Sequence, residues 1–570
     1  ILSRQMAEIP LSVREKQKDM PLMRYLTGKM LLASALILAA CGAEAPPPAP
    51  TELPPPDAAA IQAHMAYLAS DELEGREAGT PGYDTAAAYV AERFADIGLI
   101  PAGDDGSFYQ DIPFLRSVRA TDGRILEVTT TDGTPIPFTE NVDFAMGGSL
   151  RGEAADVTGE AVFVGFGVVA PDLGRDDFAG LDLEGKVAFM LSGTPKGIQT
   201  EERAYYGTRK MPNASERGAI AVIQLETPTS RGIYPFERLI REGRLDSAAM
   251  TWIGPDGTPF SRAPNIEGGA TVRMESAARL FENAPVSWEA LLEAAESEGG
   301  AMTGFDLPLT VRIAQRSEHD LVNSANVIGM IEGTDAALKN EVIVLTAHLD
   351  HIGISRTIEG EQINNGALDN ASGIATMLDA ARMLKNGPPL RRSVMFIALT
   401  AEEKGLLGAQ YFAENPTVAR ERLVANVNLD MPILTYPFTD LVVFGGQRST
   451  IIEAVEVAAG QMDIKLSPDP VPDQGLFTRS DHFRFVEAGI PSVYLIPGWE
   501  NGGAEEFARH MTTNYHRPTD DMNNTIDFDA AARFAEVKAR LTLELATKDA
   551  RPLWRQGDFF ARQFDGPMEP

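Results

Sequence analysis

Apolar residues recur at helical spacing over AAAIQAHMAYLASDEL and again over YDTAAAYVAERFADIGL, with a glycine-rich break between them. From about 115 to 310 the texture changes to short β-type runs such as EAVFVGFGVVAP and GKVAFMLSG, punctuated by Gly, Asp and Pro, with a helix-to-strand step at ERGAIAVIQLE. From about 325 uniformly apolar runs alternate with helical stretches: NVIGMIEG, EVIVLTAH, ASGIATMLDAARMLKN, RSVMFIALTAEE, VANVNLDM and SVYLIPG. Strands that are apolar on both faces and joined by helices predict an α/β fold with a mostly parallel twisted sheet flanked by helices. A β-rich insert splits that domain in sequence. The predicted parts are 57–114 and 311–550 for the α/β domain, 115–310 for the insert, and 551–570 for a C-terminal tail.

The N-terminal region reads differently. Arg24 and Lys29 precede an apolar run from Met30 to Ala40 that ends on Cys41, the sole cysteine among 570 residues. This is the pattern of an export signal, too short for a stable membrane span. Leu38-Ala39-Ala40-Cys41 resembles a bacterial lipobox. Residues 1–41 are therefore expected to be a lipoprotein signal with an upstream extension, and the Pro-rich 42–56 an extended tether. That places the protein in the bacterial cell envelope, held to the membrane only through a lipid on Cys41. One cysteine also excludes an intramolecular disulfide. The formal net charge of −31 supplies no basic field, which argues against nucleic acid as a partner.

The chemistry collects where predicted strands end. EVIVLTAHLDH delivers His348 and Asp350, and GALDNASG carries Asp369 at a helix start. FIALTAEE delivers Glu402 and Glu403, VNLDM delivers Asp430, and NYHRPTDD offers His516 in a late loop. In doubly wound sheets ligands bind at the carboxyl ends of the strands. Histidine with carboxylates at an open site suits catalytic zinc. Two histidines and three carboxylates exceed one tetrahedral ion and suit two ions sharing a carboxylate. Asp350, two residues beyond His348, is placed to accept its second ring proton. Each residue also has a plainer reading: Asp369 as a helix cap, Asp430 as a turn cap, and the Glu402–Glu403 pair as a solvated helix start. His64 and His319 read as surface or packing residues, and His351, His482 and His510 stay open between pocket and interior.

In this order, HLDH, GALDNASG, EEKGLLG, NLD and YHRPTD resemble the co-catalytic di-zinc exopeptidases of metallopeptidase family 28, which includes aminopeptidases and the glutamate carboxypeptidase II type. The insert resembles a protease-associated domain. The resemblance implies two zinc ions per chain, one held by His348, Asp369 and Asp430 and the other by Asp369, Glu403 and His516. It makes Glu402 the general base and Tyr515 a group that polarises the scissile carbonyl. It also sets Arg479 of TRSDHF near the substrate, and His482 in the same stretch is a further candidate substrate contact on position alone. It further implies a cis peptide at Asp369–Asn370. Where the family often has aspartate this chain has Leu368, which is not a ligand position. The expected activity is removal of N-terminal residues from peptides. A carboxypeptidase or dipeptidase of the same fold, a single-zinc cyclase-like relative, and a receptor-like protein on an inactive peptidase fold are the alternatives.

Overall fold

A computed structural model describes residues 49–570, apart from 242–244, 246 and 356–359. Cys41 and the signal pattern lie outside the described residues. Among those described, no helix is long and apolar enough to cross a membrane.

The chain opens with helices α1 (Ala58–Leu68) and α2 (Pro81–Ile97). Asp57 caps α1 by accepting the Ala60 N–H, and α2 starts at Pro81 behind a Thr80 cap and stops at Gly98 in the left-handed region. Strand β1 (Tyr109–Arg119) follows. The insert then contributes β2 (Ala154–Phe163), β3 (Val187–Leu191), α3 (Thr200–Ser215), β4 (Ala221–Leu225) and β5 (Gly268–Val272). β2, β3, β4 and β5 pair in parallel, in that order.

Strand β6 runs unbroken from Phe305 to Ile331, 27 residues. Its first part pairs with Ile125–Thr130 and β2 in the insert sheet. From Ser317 onward it pairs with β1 in the second sheet. The remaining elements build that second sheet: β7 (Val342–His348), α4 (Ser372–Lys385), β8 (Ser393–Leu399), β9 (Leu423–Asn428), β10 (Asp440–Phe444), β11 (Ser492–Pro497), α5 (Gly503–Thr513) and α6 (Phe528–Thr547).

The strand order is β1-β6-β8-β7-β9-β11-β10. The four central strands β8, β7, β9 and β11 are parallel, and β6 and β10 flank them antiparallel. Every residue of β7, β8, β9 and β11 is buried, because helices cover both faces. α1, α4 and α6 pack together on one face in one hydrophobic core with α2, while Phe412, Phe485 and Ile490 close the other. Residues 551–570 are folded rather than trailing: Trp554 is fully buried, its indole N–H donates to the Gly489 carbonyl at 2.8 Å, and Phe560 packs on Phe477 and Phe483.

Candidate metal-binding active site

The parallel strands bring their carboxyl ends to one rim, and the predicted side chains stand there. His348 is the last residue of β7. Glu402 and Glu403 follow β8 by a few residues, and Asp430 follows β9 by two. Asp369 sits in the turn before α4, and His516 in the loop after α5. Three non-glycine residues at or beside these side chains adopt positive φ: Ala401 at 53°, Met431 at 40° and His516 itself at 55°. Such backbone costs about 1–3 kcal/mol each and persists only where surrounding structure imposes it, as it does around reactive sites. The Asp369–Asn370 peptide is cis.

Two groups of ligand atoms share Asp369. In the first, His348 Nε2 lies 3.0 Å from Asp430 Oδ1 and 3.3 Å from Asp369 Oδ1. In the second, His516 Nε2 lies 3.2 Å from Glu403 Oε2 and 3.4 Å from Asp369 Oδ2. His351, left open by the sequence, belongs here too. It is fully buried, with Nδ1 2.8 Å from Glu403 Oε1 and 3.9 Å from Asp369 Oδ2. The ligand atoms of His348, Asp369 and Asp430 lie within 4.8 Å of one another, and so do those of His351, Asp369 and Glu403. Imidazole nitrogens and carboxylate oxygens converging without cysteine are a donor set that suits zinc or a similar divalent ion.

Charge makes the same point. Asp350, Asp369, Asp481 and Asp520 are buried and Glu402, Glu403 and Asp430 nearly so, around one rim that, among the described residues, holds a single buried arginine, Arg76. Burial works against protonating His348, yet Asp430 and Glu402 outweigh it and hold the imidazole well above its ordinary range. His516 is pushed up to about 10 against burial by Glu403 and Asp369. Glu403 is drawn down to about 2 despite burial and Asp369, by His516 and His351. Glu402 goes the other way. Burial raises it well above the carboxylate range, Glu403, Asp430 and Asp481 add to the rise, and only His348 opposes them. Two adjacent glutamates are thus driven apart, one toward the anion and one toward the acid, the pattern that separates ligand from proton carrier.

The plainer readings of these residues do not match the geometry. The residue before α4 is Ala371, and the Asp369 carboxylate faces His348 and His516 rather than the helix start. Glu402 and Glu403 lie in a turn whose carbonyl at Glu402 accepts the Gly405 and Leu406 N–H groups. The carboxylate of Asp350 does not touch His348. The Asp350 main-chain carbonyl lies 3.0 Å from His348 Nδ1, while the side chain, raised to about 6 by burial, accepts the N–H groups of Glu402 and Glu403 at 3.0 and 3.3 Å. Asp350 therefore orients the imidazole and the glutamate turn at once.

Tyr515 stacks on His516 with centroids 3.9 Å apart, and with Arg479 it lines the pocket in front of the ligand groups. Met431, Leu476, Ile496, Phe507 and Met511 form the apolar part of that wall. His482 is not brought to the pocket. It is fully buried between Phe477 and Tyr494, and burial lowers its pKa to about 3. His510 is likewise interior, and His64 and His319 have partners elsewhere in Tyr89 and the Ser149 carbonyl.

Three supporting residues were not singled out from sequence. Asp520 accepts the main-chain N–H groups of Leu368 and Asp369, the latter at 2.9 Å, and so fixes the shared aspartate. Asn370 donates to the His348 and Leu429 carbonyls and accepts from Gly373 and Met431, tying three ligand-bearing loops together. Gly373 must lack a side chain, since a Cβ there would stand 2.1 Å from Asn370 Oδ1. Arg76, 1% exposed, donates Nε to the Leu349 carbonyl at 2.9 Å, Nη1 to the carbonyls of Asn365 (2.6 Å) and Leu68, and Nη2 to Gly366 at 3.2 Å. The one available signal was in the YHRPTDD stretch, where Asp520 follows His516 by four residues. Arg76 stands in a Gly-rich break with no periodicity to mark it.

A parallel sheet whose strand ends gather histidines and carboxylates around a pocket has the layout of an α/β metal-binding active site. The family model for Peptidase family M28 matches residues 326–542. A "Probable lipoprotein aminopeptidase LpqL" of Mycobacterium tuberculosis is 24% identical over 488 residues, covering 82% of this chain and 80% of its own. "Aminopeptidase YwaD" of Bacillus subtilis is 30% identical over 234 residues, covering 40% of this chain and 46% of its own length. A solved aminopeptidase from Aneurinibacillus sp. strain AM-1 aligns with TM-score 0.49 and 20% identity, over 90% of this chain and 98% of that one.

Proposed function

We propose that the protein is a zinc-dependent aminopeptidase that holds two zinc ions. His348, Asp369 and Asp430 would hold one, and Asp369, Glu403 and His516 the other, with His351 steadying the second Glu403 oxygen. The observation that carries the reading is the pair of ligand groups sharing Asp369 beside a glutamate, Glu402, that belongs to neither. Bound zinc supplies Lewis acidity, lowering the pKa of water and drawing charge from a carbonyl.

The chain's own residues do the remainder. Glu402, raised by burial, accepts a proton from the attacking water and delivers it to the departing amine. The Tyr515 hydroxyl, kept neutral because burial raises its pKa, donates toward the oxygen that gains charge. The apolar wall of Met431, Leu476, Ile496, Phe507 and Met511 accepts an apolar N-terminal side chain. The relative named a lipoprotein supports attachment through Cys41 and action in the cell envelope.

One observation favours a second reading. Arg479 stands on the pocket wall with no side-chain hydrogen bond or ion pair among the described residues, and a carboxypeptidase or dipeptidase would use such a cation for a free C-terminus. Assaying the purified chain on peptides with free N-termini, acetylated N-termini and C-terminal amides, with and without chelator, separates the two. Aminopeptidase action requires the free amine, tolerates the amide and stops with chelator. Cleavage that tolerates acetylation and fails on C-terminal amides overturns it.

A further inference from the structure

The insert holds a second polar cavity, away from the ligand groups. β3, α3 and β4 form a parallel strand–helix–strand unit, and a cavity of about 320 Å³ opens at the carboxyl ends of its strands. That volume is at the small end of the ~300–1,000 Å³ typical of small-molecule sites. Arg203, Gly207, Lys210 and Met211 face it from α3 at the three-to-four spacing of one helix face. Thr194 and Gln224 contribute from the strand side, and no aspartate or glutamate lines it.

Lys210 is 6% exposed. Its Nζ donates to the main-chain carbonyls of Leu191 at 2.6 Å and Gly193 at 2.7 Å. An ammonium has three protons to donate, and the third meets no acceptor among the described residues. Burial draws its pKa down to about 7, with Asp177 the opposing charge, and Asp177 is itself committed to Arg175 at 2.7 Å. Arg203 is half-buried, and its guanidinium makes no hydrogen bond or ion pair among the described residues, only its main-chain N–H donating to the Gln199 carbonyl. A buried cation without a counter-ion is costly, and an anionic oxygen between Lys210 and Arg203 would relieve it. The chain's net charge of −31 repels anions at long range, so the attraction has to be local.

We propose that this cavity binds a small organic carboxylate, one oxygen on Lys210 Nζ and the other on the Arg203 guanidinium, with its hydrocarbon end against Met190 and Met211. Two cations and two methionines suit one carboxylate on an apolar stem better than a phosphate, which has no hydrocarbon part to cover the methionines.

The test is calorimetric titration of the full chain at pH 6, where Lys210 is charged, with sodium propionate and sodium phosphate at constant ionic strength. The variants are Arg203→Gln, Lys210→Met and Arg479→Gln. The expected result is one propionate per chain, bound at least tenfold more weakly by R203Q and K210M and unchanged in R479Q, with phosphate at least tenfold weaker than propionate. Should K210M not fold, R203Q decides alone, since Arg203 has no partner to lose. Equal propionate affinity in R203Q and wild type overturns the site, and loss in R479Q moves the binding to the catalytic pocket. Phosphate binding as tightly as propionate overturns the carboxylate assignment.

Discussion

Replacing Arg76 with methionine tests how far the site depends on one buried cation. The guanidinium makes hydrogen bonds to four main-chain carbonyls, from the end of α1, the residue after β7 and the loop before Asp369. Burial lowers its pKa to about 10, and Asp350, Asp369, Asp520 and Glu403 resist that fall, so the acids and the arginine stabilise one another. Removing one member of a buried charged set costs about 3–5 kcal/mol. With an unfolding entropy of ~2.1 cal/mol/K per residue, a unit of about 520 residues loses about 3–5 °C in Tm for that energy. The loss should be larger after chelation, when no bound cation remains to offset the four carboxylates. Arg76→Lys keeps the charge but cannot reach four carbonyls with one ammonium, and should recover about half. Differential scanning calorimetry with and without zinc measures all three proteins. An R76M melting point within 1 °C of wild type in both conditions would refute the argument that Arg76 neutralises the acidic rim.

The other predictions concern single groups. Glu402→Gln should lower kcat by about 10²–10⁴ with zinc content unchanged by elemental analysis, and equal zinc loss in Glu402→Ala and Glu403→Ala would end the division between base and ligand. Asp520→Asn should weaken zinc about 10–100-fold in competition with a chromogenic chelator, because the turn carrying Asp369 loses its anionic anchor, and an unchanged affinity would remove Asp520 from the supporting set. Lys210, at about 7 when folded and near 10.4 when unfolded, binds fewer protons in the native state between those values. Native stability should therefore rise with pH through that window, by about 1 kcal/mol per unit from this group. The penalty is fully present below pH 7. Urea unfolding at pH 7, 8 and 9 should show wild type gaining on Lys210→Met by that amount, and parallel curves would contradict it.

The catalytic half was legible because strand ends are where both hydrophobic pattern and chemistry change. A buried run that stops at His348 or Leu399 and continues into acids leaves few other readings. His348, Glu402, Glu403 and Asp430 stand at or just after such stops, and Asp369 and His516 in turns beside helices, whereas His482 is only next to a motif and was drawn inward by the aromatic contacts of Phe477 and Tyr494. Arg76 and Asn370 act through main-chain carbonyls and N–H groups, which are the same at every residue and leave no trace in composition. His351 stayed open because a fourth residue of HLDH is equally able to point away. The extent of β6 was also hidden. Residues 305–331 contain the polar stretch RSEHDLVN, which reads as a break, yet the strand continues because β1 supplies partners from Arg119 to Tyr109 along it.

That strand bears on how the protein is made. β1 waits some two hundred residues of synthesis for the half of β6 it pairs with, and the insert sheet waits for the other half. Contacts so distant in sequence close slowly, and strand edges left open in the interval invite mispairing. Both sheets gain a shared strand within the same few dozen residues of elongation. The insert's position in the middle of the chain therefore sets a timetable: the peptidase rim, whose ligands begin at His348, is assembled only after the insert is ready to receive its last strand.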